Sequence, residues 1–118
     1  MRRNDYAYIL SERDKISPEE LNFALELATN AIAIEPENPA FLDTMGWIYY
    51  KLGTYKIAKE YLEKSLSIND NNLVILEHLG DIYVKLNKSS EAVNIYEKVL
   101  SIESDNQLIK EKINKIYE

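Results

Sequence analysis

The residues of this chain that could do chemistry are few and isolated. The one histidine, His78, stands beside Leu79 and Gly80 in a stretch with helical apolar spacing. With no cysteine and no second histidine, a transition metal would lack ligands. A histidine packed in a helix contact is therefore preferred to a ligand or a general base, even though imidazole is the side chain that titrates near neutrality. Carboxylates pair at Glu19-Glu20, at Glu12 with Asp14, and at Glu77 with Asp81. Such pairs are raw material for acid-base work, but no nucleophile or second titrating group accompanies them. No serine occupies a strand-turn-helix elbow and no glycine-rich loop follows a strand. The run Asn69-Asp70-Asn71-Asn72 offers oxygen atoms but not the ladder of a calcium loop. It reads instead as polar partners for two adjoining helix ends. The expectation is a protein with no catalytic, cofactor or metal site.

Composition narrows the partners. The chain has 118 residues, a formal net charge of −6 and a pI near 4.9, which argues against nucleic acid and against insertion into or binding to an anionic membrane. No run of eighteen apolar residues spans a bilayer, and MRRNDYAYIL lacks the apolar core of a signal peptide. The chain reads as soluble, cytoplasmic or periplasmic, and as one domain over residues 1–118, or a fragment of something longer.

The elements that must position any site are helices. Apolar residues recur with a 3.6-residue period in seven stretches and no strand pattern competes. The first is a short helix near residues 4–13. Ser17-Pro18-Glu19-Glu20 supplies a cap, a proline and a capping-box glutamate for the second, whose apolar face runs from Leu21 through Ala24, Ala28 and Ala31 to Ile34 before Pro36. Asn38-Pro39 opens a third, which Gly53 ends. A fourth reaches Ile68, a fifth runs from Leu73 to Leu86, Ser89 or Ser90 caps a sixth, and Asp105 caps a seventh. These helices repeat at an interval of 34 residues: Gly46 returns as Gly80, Tyr49 as Tyr83, Ala24 as Ala58 and Ala92, and Ile34 as Ile68 and Ile102. Each period holds two helices that must stack on neighbours to bury their apolar faces.

Leu42-x2-Met45-Gly46-x2-Tyr49 with Ala58-x3-Leu62, and Leu76-x2-Leu79-Gly80-x2-Tyr83 with Ala92-x3-Tyr96, resemble the tetratricopeptide repeat. Tyr6-Ala7-x2-Leu10 and Ala24-x3-Ala28 with Pro36 fit the same pattern with a longer turn, whereas Asp70 and Ser104 stand where the consensus has proline. More narrowly, the chain is similar to the C-terminal arrays of certain bacterial proteins of this family. The resemblance implies an all-α, right-handed α-solenoid of three helix pairs, about residues 1–38, 39–72 and 73–106, plus a capping helix at about 106–118.

In the resembling family, first helices of successive units line a concave groove that binds peptides. Carrying those slots over gives Asn4, Tyr8, Ser11 and Glu12, then Asp43, Trp47, Tyr50 and Lys51, then Glu77, Asp81, Val84 and Lys85, and finally Glu111 and Lys115. Five carboxylates against three lysines, with an aromatic patch of Tyr8, Trp47 and Tyr50, imply a preference for neutral or basic apolar peptide. The slots with which some members of the family hold a chaperone tail's terminal carboxylate carry Asn4, Tyr8, Thr44, Val74 and His78 here, without the basic pair, so that ligand is disfavoured. Trp47 is open to two readings, an interface anchor or a tryptophan packed among the first helices. The resemblance implies a non-catalytic scaffold for a protein or peptide partner. The alternative is a purely structural spacer or oligomerisation module, with self-association through the N-terminal end.

Overall fold

A computed structural model describes residues 16–118. Six α-helices make up the described chain, with no strand among its residues: α1 Pro18–Ile34, α2 Pro39–Lys51, α3 Tyr55–Ile68, α4 Leu73–Lys85, α5 Ser89–Ile102 and α6 Gln107–Tyr117. The helix expected near residues 4–13, and with it Asn4, Tyr8, Ser11, Glu12 and the N-terminal end expected to self-associate, lies outside the described residues.

Helix starts follow the polar residues that punctuate the sequence. Ser17 accepts a bond from the Glu20 amide at 3.1 Å while the Glu20 carboxylate accepts from the Ser17 amide, a complete capping box ahead of Pro18. Asn38, Asn72 and Asn106 each accept amide bonds from the first turn of α2, α4 and α6. The cap of α6 is thus Asn106, not Asp105. Likewise Ser89 is the first residue of α5 rather than its cap, and Lys88, the residue before it, makes no side-chain capping bond. The cause is the preceding turn. Asn87 takes the left-handed conformation at φ 60°, as Gly53 does at φ 82° one repeat earlier, and carries the chain straight into the next helix.

The repeat spacing becomes packing at the small residues. A Cβ on Gly46 would lie 1.8 Å from Leu62 Cδ2, and one on Gly80 would lie 2.4 Å from Tyr96 Cε1, so α2 crosses α3 and α4 crosses α5 where only glycine fits. Between pairs, α1 packs on α2 through Leu21, Ala24, Ala28, Met45 and Ile48; α3 packs on α4 through Ala58, Leu62, Ile75, Leu79 and Ile82; and Leu76, Ala92, Tyr96 and Val99 of the last pair close on Ile109 of α6. Fully burying a residue such as Leu62 stabilises the fold by roughly 1.5–3 kcal/mol. The isoleucine series behaves differently: Ile34, Ile68 and Ile102 are exposed, not part of the apolar faces. Each is the last residue of its helix, at an edge that no neighbouring helix covers.

In α6, Lys110 and Asn114 stand in the slots that Leu76 and Gly80 hold in α4, and both are exposed. Ile109, Ile113 and Ile116 pack inward, while Leu108 and Tyr117 are exposed.

Candidate interaction groove

Helices α2, α4 and α6 lie side by side along one surface, joined by two side-chain bridges. His78 on α4 donates from Nδ1 to Asp43 Oδ1 on α2 at 2.9 Å. Lys112 on α6 donates to Glu77 Oε1 at 2.9 Å and to both oxygens of Asp81 at 2.9 and 3.1 Å on α4.

Around the first bridge the aromatic residues form one stack. Trp47 lies between His78, at a centroid distance of 3.9 Å and 13° between planes, and Tyr50, at 4.4 Å and 6°. Lys51 Nζ stands 5.4 Å from the Trp47 ring centre, within cation-π range. Trp47 is only 7% exposed and Asp43 5%, so both are packed rather than open. The Trp47 indole Nε1 is buried and donates to no acceptor among the described residues.

The second bridge is a three-helix network. Tyr96 of α5 crosses the bare backbone at Gly80 and donates its hydroxyl to Asp81, and Asp81 also holds Lys112. Burial, reinforced by the Asp81 carboxylate, pushes the Tyr96 phenol far above its usual range. For Lys112 burial works toward a lower value, but bonds from Asp81 and Glu77 outweigh it and hold the ammonium charged above its ordinary range. Burial, then the Asp81 charge, raises the Tyr50 phenol.

Below this network a cleft of about 470 Å³ opens between the ends of α4 and α6, bounded by Tyr50, Asp81, Val84, Lys85, Lys112, Lys115 and Ile116. Of the groove residues expected from sequence, Tyr50, Asp81, Val84, Lys85 and Lys115 meet here. Asp43 and Trp47 form the buried stack, Lys51 covers it, Glu77 is held by Lys112, and Glu111 is exposed without lining the cleft. Asp43, Glu77 and Asp81 are each tied to a protein cation or imidazole, and of the three lysines that line the cleft Lys112 is held by Glu77 and Asp81. Lys112 and Tyr96 were not among the expected site residues. A signal existed: Lys112 follows His78, and Glu77 follows Asp43, by the same 34 residues. No group of His, Asp and Glu side chains among the described residues is arranged to hold a metal ion, and no described helix is long and apolar enough to cross a membrane.

With the paired helices and their glycine crossings in place, comparison with known proteins decides the family. A family model described as anaphase-promoting complex, cyclosome, subunit 3 matches residues 19–99. The chain belongs to this family of tetratricopeptide-repeat proteins. Among solved tetratricopeptide structures, the second such domain of human RPAP3, in complex with the HSP70 peptide SGPTIEEVD, superposes with a TM-score of 0.83 at 20% identity, covering 99% of this chain and 93% of that one. The Arabidopsis OM64 tetratricopeptide domain gives 0.83 at 17% identity over 97% and 90%. BBSome complex member BBS4 of Bos taurus is 34% identical over 62 residues, 52% of this chain and 12% of its own length. TPR repeat-containing protein PA4667 of Pseudomonas aeruginosa is 37% identical over 65 residues, 55% and 10% respectively. The tetratricopeptide chain described here therefore spans about a tenth of the length of these curated relatives.

Proposed function

We propose that this tetratricopeptide array is a non-catalytic interaction scaffold that holds a segment of a partner protein along the surface of α2, α4 and α6. The observation that carries the reading is the cleft between α4 and α6, where first helices of successive units bring apolar, aromatic and charged side chains to one concave place. The human RPAP3 domain of the same fold holds an HSP70 peptide, which supports a peptide as the type of ligand. The same ligand is not implied. Of the slots that would grip a chaperone tail's terminal carboxylate, Thr44 is buried and bonded to the Ala40 carbonyl, Val74 is apolar, and His78 is buried against Asp43.

The structural-spacer reading is favoured at one place, the Asp43–His78–Trp47 cluster, where Trp47 is packed into the protein. The test is a titration of the isotope-labelled chain with blocked acidic, neutral and basic peptides, followed by amide resonances and by the fluorescence of Trp47, the single tryptophan. Shifts centred on Tyr50, Lys51, Val84 and Lys85 are expected for at least one peptide. Shifts confined to the outward faces of α3 and α5, or none with any peptide, would leave the array as a spacer.

A further inference from the structure

We infer that the cleft between α4 and α6 selects an acidic segment of the partner protein, with carboxylates held by Lys85 and Lys115 and an apolar side chain resting on Val84 and Ile116. The inference rests on the scaffold reading above and names the chemistry of the partner.

Charge is the first ground. The chain as a whole carries −6, yet the cleft is lined by Lys85, Lys112 and Lys115 against Asp81 alone. Lys112 is bonded to both Asp81 and Glu77 and offsets one of their two charges, so it is not free for a ligand. Lys85 and Lys115 make no hydrogen bond or ion pair with any described residue. Even Glu111, four residues before Lys115 on the same helix and well placed for an ion pair, forms none with it. Two unpaired cations thus face one recess in an acidic protein. Both ammonium groups are exposed, so they act on an opposite charge chiefly by steering it to the recess, an effect that salt weakens.

Shape is the second ground. Val84 is 40% exposed, Ile116 is half-buried, and Tyr50 also lines the cleft. An apolar floor with cations at its margin suits a segment that alternates acidic and apolar residues, with the charges fixing choice of partner and encounter rate and the apolar contact supplying affinity. Because the cations lie near the C-terminal ends of α4 and α6 rather than at Thr44, Val74 and His78, a free chain terminus is not required. An internal acidic stretch fits. A nucleic acid does not, since two free lysines form no track along a phosphate backbone.

The experiment titrates the labelled 118-residue chain with acetyl-Glu-Glu-Leu-Asp-Glu-amide, with the same peptide carrying Gln and Asn in place of the acids, and with a Lys version. The acidic probe is expected to shift Val84, Lys85, Lys115 and Ile116, and to lose about fivefold or more in affinity at raised salt and in the Lys85→Glu/Lys115→Glu variant. Lys56→Glu, an exposed charge reversal on α3, should leave that affinity unchanged. Binding of the acidic probe that is indifferent to the cleft variant would overturn the inference. If the neutral or basic probe moves the inner face instead, the acidic preference falls and the scaffold stands; if none of the three does, both fall. A thymidine oligonucleotide that shifts the same resonances as tightly as the peptide would overturn the assignment to protein.

Discussion

Lys112 stands to Glu77 as His78 stands to Asp43. In each pair the acid occupies one slot of a first helix, its partner occupies the next slot one repeat later, and the closest approach is 2.9 Å. The helices that form the inner surface are therefore joined by rungs at a constant interval of 35 residues. The rungs differ in setting: Asp43 and His78 are buried, whereas Glu77 and Lys112 remain about one third and one quarter exposed.

Removing the cation from the outer rung leaves two carboxylates and the Tyr96 hydroxyl around an empty place. Lys112→Met should cost about 1–3 kcal/mol, the range for leaving partly buried polar groups without their partner. Urea unfolding monitored by circular dichroism measures it. A variant as stable as the parent would mean that the network contributes nothing to holding α6 on α4.

The two glycine crossings should respond unequally. At Gly46 the nearest obstacle is the mobile end of Leu62, while at Gly80 it is the rigid Tyr96 ring, whose hydroxyl is also fixed by Asp81. Gly80→Ala should therefore destabilise by about 1–3 kcal/mol and Gly46→Ala by less, with alanine's better helix propensity offsetting part of each loss. Reversal of that order in denaturant melts would contradict the packing described.

Trp47→Ala removes the centre of the aromatic stack and should lower stability by about 3–5 kcal/mol, as large-to-small changes in a packed interior do. Measured on the same protein, the affinity of the folded fraction for an acidic peptide at the α4–α6 cleft should change little. A stable variant that loses binding would restore Trp47 as an interface anchor.

Tyrosine ionisation sets the alkaline limit. Burial, followed by its bond to Glu63, pushes the Tyr83 phenol to about 12, and Tyr96 moves further in the same direction. Unfolded tyrosine ionises near about 10. Between these values the folded protein keeps protons that the unfolded chain gives up. Stability should thus be level below about pH 10 and fall as pH rises from there toward 12. Phenolate absorbance with parallel denaturation should show that fall, and Tyr96→Phe should make it shallower.

The parts of this molecule that depend on local backbone rules were legible from sequence. Ser17, Asn38 and Asn72 cap helices because a short polar side chain before an apolar period has few other uses, and Gly46 and Gly80 sit at crossings because nothing larger fits. The site was legible only as a surface. A repeat slot says which way a side chain faces, not what lies across from it. That is why Asp43 was expected in an open groove and is packed against His78, why Trp47 stayed open to two readings, and why the lysine that bridges Glu77 and Asp81 escaped notice. The exposed ends at Ile34, Ile68 and Ile102 show the reverse limit: apolar periodicity continues to the last residue of a helix whether or not a neighbour reaches it.

The glycine crossings carry one more consequence. Repeats of equal length and similar outline invite a unit to pair with the wrong neighbour while the chain folds, a hazard of repeat arrays. Here the two locks take different keys. Gly46 receives the branched end of Leu62, whereas Gly80 receives a whole phenol ring that must also find Asp81. A helix offset by one unit would drive that ring into the wrong recess and leave its hydroxyl without a carboxylate. The sequence differences between otherwise interchangeable units thus act as proofreading of their order.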